Sequence, residues 1–174
     1  MTGMTKGIVL GVIHVGMILT VSGKLLYDRW TRPRAWAQAA TYDPDLPIRG
    51  RYLSQRLQYP AEGFPYKAPE NKNGSDWTWE NHQWAYLESR DGKLVGKMVG
   101  PGPGQWVYVH RNPDGNFVAF SDEPVLLFIP DTANVPSLKR GEEVWVEVTI
   151  PKKGPPRPIR AGIKKNGMIT PLEF

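Results

Sequence analysis

The pattern of apolar and polar positions divides the chain near residue 30. From Gly7 to Tyr27 the run "GIVLGVIHVGMILTVSGKLLY" is apolar except at His14, Thr20, Ser22 and Lys24, and it shows no two-residue alternation. Such a stretch predicts a helix able to cross a bilayer: Gly7–Val21 would span about 22 Å, and continuation through Leu26 about 30 Å, with Lys24 reaching to the interface. Gly7, Gly11 and Gly16 lie near the small-residue spacing that lets helices approach in lipid. His14 is a lone histidine in a single span, which reads as a tolerated residue or a contact with a partner protein rather than as a proton relay. The same run fits a cleaved signal peptide, with Lys6 before the apolar segment and "VSG" after it. Leu25-Leu26-Tyr27 and the interfacial Trp30 favour a retained anchor over residues 1–30. Lys24, Arg29, Arg32 and Arg34 outnumber Lys6, which by charge bias alone would keep the rest of the chain in the cytoplasm. A short N-terminal tail before an export-type segment points the other way, to an extracytoplasmic or periplasmic domain.

Beyond residue 30 the period shortens. The stretch "WTRPRAWAQAATYDPDLP" carries Pro33, Pro44 and Pro47, and residues 31–47 read as a stalk. Strand candidates then follow closely: Ile48–Gln58, Gln83–Ser89, Lys93–Val99, Gln105–Arg111, Asn116–Phe120, Val125–Ile129, Glu143–Ile150, Ile159–Lys164 and Met168–Leu172. Asp91-Gly92 and Asn166-Gly167 are dipeptides preferred in two-residue hairpins, and Asn112-Pro113-Asp114-Gly115 suits a longer one. In "EEVWVEVTI", Val144, Val146, Val148 and Ile150 fall on one face, with Glu143, Trp145, Glu147 and Thr149 on the other, so one face is expected to pack and the other to be wet. Pro60–Ser75 reads as a long loop and Asp131–Arg140 as room for a helical turn. The expected fold is all-β: residues 48–174 as one antiparallel β-sandwich or partly open barrel, preceded by one transmembrane helix.

Composition agrees with short strands and tight turns, since 174 residues include 17 Pro and 18 Gly, with seven Trp and seven Tyr for a core. The absence of Cys excludes disulfides, thiolate zinc sites, iron–sulfur clusters and a Cys nucleophile. The formal net charge of +5 is local. Lys152, Lys153, Arg157, Arg160, Lys164 and Lys165 follow one another with no acid between them, in "PKKGPPRPIRAGIKK".

Two stretches are candidates for binding. The basic one can attract anionic lipid, nucleic acid or a polyanionic wall polymer, but Lys and Pro are also what an exposed sheet edge carries against unwanted pairing, and the second reading is favoured. The aromatic one, "DWTWENHQWAY", places Trp77 and Trp79 on one face of an extended segment and Trp84 with Tyr86 on one face of the next. Buried, these rings are core, which is the favoured reading; exposed, they are a platform for a partner protein or, less readily, for sugar rings. No catalytic, metal or cofactor site is expected. Gly-x-Ser-x-Gly and His-Glu-x-x-His are absent, "GPGPG" lacks the Lys of a phosphate loop, and His82 and His110 lack the spacing of a metal pair. Ser54 with the lysines invites comparison with Ser–Lys peptidases, but no Lys lies in an evidently apolar strand that would lower its pKa.

"GRYLSQRL" at Gly50–Leu57, followed by "GEEVWVEVTI" and "IRAGIKKNG", resembles the family named for a Gly-Asp-Tyr-x-x-Leu-x-Tyr motif (GDYXXLXY). Gly50 and Tyr52 match, while Arg51, Gln55 and Leu57 replace the Asp, Leu and final Tyr of that motif. The resemblance implies a small membrane-anchored protein with a strand-rich exported domain, associated with an integral membrane protein rather than catalytic. The expectation is thus a membrane-tethered binding domain needing no cofactor and binding no nucleic acid. The alternative is a module for envelope glycan or polyanion.

Overall fold

A computed structural model of the chain describes residues 3–41, 51–64, 81–98, 104–112, 114–130 and 138–173. It forms two units, Met1–Arg32 and Pro33–Phe174. The first is helix α1, Gly3–Thr31, a single apolar helix of about 43 Å, long enough to cross a membrane. Three of its polar side chains lie against its own backbone carbonyls. Thr20 Oγ1 donates to the Gly16 carbonyl at 2.7 Å, Thr31 Oγ1 donates to that of Tyr27 at 2.8 Å, and His14 Nδ1 lies 2.8 Å from that of Leu10. Such internal satisfaction is what a hydrocarbon environment demands.

The second unit is built from β1 (Arg34–Thr41), β2 (Arg51–Glu62), β3 (His82–Arg90), β4 (Lys93–Met98), β5 (Gln105–Arg111), β6 (Phe117–Ser121), β7 (Val125–Ile129), β8 (Glu143–Thr149), β9 (Arg157–Lys165) and β10 (Met168–Pro171). The pairings β2–β6, β6–β5, β5–β3 and β3–β4 are antiparallel, and β4 returns to β2 through a short parallel contact at Ala61–Gly96 and Glu62–Lys97. These five strands therefore close a small barrel. β1 pairs with β2 on one edge and β8 on the other, and β9 and β10 extend the sheet outward, giving the partly open form expected of the fold.

The interior follows from alternation. Leu57, Tyr59 and Ala61 of β2, Ala85 of β3, Leu94 of β4, Val107 and Val109 of β5 and Ala119 of β6 are all buried in one core. Small residues opposite large ones let it fill: a Cβ on Gly96 would lie 2.9 Å from the Tyr59 ring. Burial pushes the Tyr59 phenol well above its ordinary pKa. At the parallel seam Arg90 bridges Glu62 and Glu88, at 2.5 and 2.7 Å, and Lys97 reaches Glu88 at 2.9 Å. The hydrogen bond from Arg90 holds the Glu62 carboxyl below its usual range, and that from Lys97 does the same for Glu88.

Three departures from the sequence reading have physical causes. The supposed stalk supplies β1, because Ala35, Ala37 and Ala39 alternate inward and are buried in the same core as the barrel residues. Pro60, placed in a loop by the sequence, belongs to β2 opposite Val118. The expected wet face of β8 is covered as well: Trp145, Glu147 and Thr149 are buried beneath neighbours on β1 and β9. The two hairpin dipeptides do turn with positive φ, at 50° and 73° for Asp91-Gly92 and 50° and 83° for Asn166-Gly167. Most of the Pro60–Ser75 loop and of Asp131–Arg140 lies outside the described residues, as do Gly50 and Pro47-Ile48-Arg49.

β6 and β7 form one interrupted strand along the same edge of β2. Gln58 pairs with Phe120 and Gln55 with Val125, so three steps on β2 correspond to five on its partner. Ser121-Asp122-Glu123-Pro124 accommodates the excess as a bulge. The Leu57 N–H, which faces this break, donates instead to Ser121 Oγ at 2.9 Å.

Candidate functional site: an aromatic face beside an acidic bulge

Antiparallel register brings rings together on the outer face of the barrel. Trp84 of β3 stands opposite Trp106 of β5, His82 opposite Tyr108, and Tyr108 opposite Phe120 of β6. The Trp84 and Trp106 centroids are 5.3 Å apart with ring planes inclined at 61°, an edge-to-face pair. His82 is buried with its ring 6.1 Å from that of Trp106 and 5.1 Å from that of Tyr108. Trp84, Tyr86 and Trp106 are exposed at 39%, 39% and 36%. Contiguous exposed apolar rings are the kind of feature that marks an interaction site.

The bulge places charge at the rim of this face. A cleft of about 180 Å³ is lined by Trp84, Trp106, Gly104, Gln105, Asp122, Glu123 and Pro155. Gly104 allows close approach of β5 to β3 there, since a Cβ at this position would sit 2.7 Å from the Ala85 carbonyl oxygen. Both carboxylates are exposed, and among the described residues neither has a hydrogen-bond donor or ion-pair partner.

The basic stretch is arranged differently. Arg160 Nε donates to Glu147 Oε2 at 2.6 Å, and its guanidinium lies 5.6 Å from the Trp36 ring centre. Lys164 is 3.7 Å from Glu143 and 4.4 Å from the Trp145 ring centre, and Lys165 bonds Glu142 at 3.1 Å. Strand pairing therefore sets these cations against the acids that precede or belong to β8. Arg157, opposite Thr149, is also engaged within the structure. Lys152 and Lys153 remain exposed on the β8–β9 connector, where they line a shallow depression with Gly104 and Gln105.

Of the aromatic residues singled out in the sequence, Trp84 is on the exposed face, while Trp77 and Trp79 lie outside the described residues. Trp106, Asp122 and Glu123 were not singled out, for they are distant from Trp84 in sequence and meet it only through the β3–β5 register and the bulge. Ser54 is buried on β2 opposite Leu126 of β7, and among the described residues no lysine bonds to it. No protein-family model, curated protein or solved structure matches the chain.

Proposed function

We propose that this protein is a membrane-tethered binding protein: α1 anchors it, and the β domain acts by association, as an accessory to an integral membrane protein, rather than by catalysis. The observation that carries this reading is the exposed group Trp84, Tyr86 and Trp106 on a rigid sheet. Large aromatic side chains have few rotamers to lose and bury much apolar area, so they dominate the energetics of interfaces. Tethering adds a second advantage, because holding the domain at the bilayer raises its effective concentration toward any partner in the same membrane. The resemblance to the Gly-Asp-Tyr-x-x-Leu-x-Tyr family supports both the anchor and an extracytoplasmic side. Exposed aromatic rings are also a platform on which a sugar ring can stack, which keeps envelope glycan as the second reading.

A photo-cross-linking amino acid at position 84 or 106 of the full chain, in its native membranes, should yield an adduct of defined mass with a membrane protein. The same group at Asp91, on a hairpin tip, should not. Equal adducts at all three positions, or none at any, would remove the proposal. Because the chain has no Cys, a single Asp91→Cys exchange also reports sidedness. A membrane-impermeant maleimide should label it in intact cells, and labelling only after lysis would place the domain in the cytoplasm.

A further inference from the structure

We infer that the cleft between the tryptophan pair and the β6–β7 bulge is a binding site for an organic cation, an alkylammonium or guanidinium group. This assignment rests on the reading of the aromatic face as the binding surface and gives that face its chemistry. Three features converge on it. Trp84 and Trp106, inclined at 61° in an edge-to-face pair, both line the cleft, and the negative face of an indole attracts a cation within about 6 Å of its centre. Asp122 and Glu123 place two formal negative charges at the same cleft, with no cation of the described residues paired to them. The bulge that supplies them inserts two extra residues into an otherwise regular strand, which turns both carboxylates outward beside the rings.

The arrangement discriminates between ligand types. A pyranose stacks best on one broad flat surface and needs donors and acceptors in alternation around its rim. Here the two rings are not coplanar, and the charged groups lining the cleft are both acceptors only. A compact ammonium or guanidinium meets aromatic surface on one side and carboxylate on the other. The chain is cationic overall, at +5, so two acids that lack a cation partner among the described residues run against the global charge at this cleft. Arg56 lines the adjoining cleft together with Asp122, whereas Glu123 lines the tryptophan cleft and not that adjoining one. Glu123 is thus the carboxylate whose loss should matter more.

The test uses the full chain in an uncharged polyoxyethylene detergent, with the indole N–H resonances of Trp84 and Trp106 assigned by single Trp→Phe exchanges. Choline, its uncharged isostere 3,3-dimethyl-1-butanol, the N-acetyl amides of lysine and arginine, and N-acetylchitotriose are titrated separately. Choline or one of the basic amides should shift both resonances saturably, and the uncharged isostere should bind at least tenfold more weakly. Asp122→Asn with Glu123→Gln should weaken the cation at least tenfold without altering the thermal melt, Glu123→Gln alone accounting for most of that loss. Stronger binding of choline identifies a quaternary ammonium source, and stronger binding of the amides a side chain on a protein partner. Equal binding of the isostere, shifts by N-acetylchitotriose alone, or indifference to the double exchange would overturn the assignment. If cation binding fails while cross-links at positions 84 and 106 persist, the binding face stands with a different chemistry. If both fail, the proposed function falls as well.

Discussion

Leu57→Ala is expected to lower the melting temperature of the β domain by roughly 10 °C, from a loss of about 3 kcal/mol. Leu57 is fully buried, and its backbone sits where β2 changes partners: β7 ends at Gln55, β6 begins at Gln58, and Ala39 of β1 lies directly opposite. Its side chain fills the barrel beside Val107 and Ala119 while its N–H is held by Ser121 Oγ. Truncation leaves a cavity that cannot collapse easily, because closed pairings fix the surrounding strands. Leu126→Ala is the matched control. That residue stands on β7 in the same sheet with 53% exposure, and its loss should change stability by less than about 0.5 kcal/mol. Circular dichroism melts of the full chain in uncharged detergent make the comparison. Equal shifts for both variants would mean that the closed β2–β6–β5–β3–β4 cycle is not the cooperative core.

How much of this was legible in the sequence depends on the range of the interaction. The membrane-length helix and the Asn-Gly and Asp-Gly hairpins are local, set by continuous apolarity and by a backbone requirement that only a few residues meet. β1 was hidden because alanine has little strand preference and a proline-rich frame surrounded it; its burial is decided by the barrel it touches rather than by its own composition. The bulge was likewise invisible. "SDEP" separates two strand candidates, Asn116–Phe120 and Val125–Ile129, and only the register against β2 shows that they continue in line. The candidate site shares this fate: Trp84 could be named from its aromatic neighbourhood, but Trp106, Asp122 and Glu123 join it through pairing.

The basic stretch is where register most changes the meaning of a sequence feature, and Arg160→Ala tests it. Read along the chain, six cations without an acid between them look like a polyanion surface. Read across the sheet, Arg160 faces Glu147, whose side chain is only 9% exposed, and covers the ring of Trp36. Gly162 lets that ring approach, since a Cβ there would lie 3.1 Å from it. Removing the guanidinium leaves a nearly buried carboxylate without this partner, an outcome that costs 3–5 kcal/mol for fully buried pairs and about 2 kcal/mol here, because Arg160 itself is half exposed. Adding Glu147→Gln to Arg160→Ala should restore part of the loss, since the uncompensated charge is then gone. Lys152→Gln with Lys153→Gln removes as much charge as two such exchanges yet should leave the melt within about 0.5 kcal/mol, as both side chains are exposed and unpaired among the described residues. Binding to anionic vesicles should follow the opposite order. The Lys152/Lys153 pair should account for most of a weak attraction seen at low salt, which fades at physiological ionic strength where screening acts within about 8 Å. Tight vesicle binding at physiological salt, lost on Arg160→Ala with no change in the melt, would make the stretch a working anionic-surface site. Loss of stability without loss of vesicle binding identifies Arg160 as a cross-strand tie that holds β9 to β8 and keeps the wall of the domain closed over Trp36.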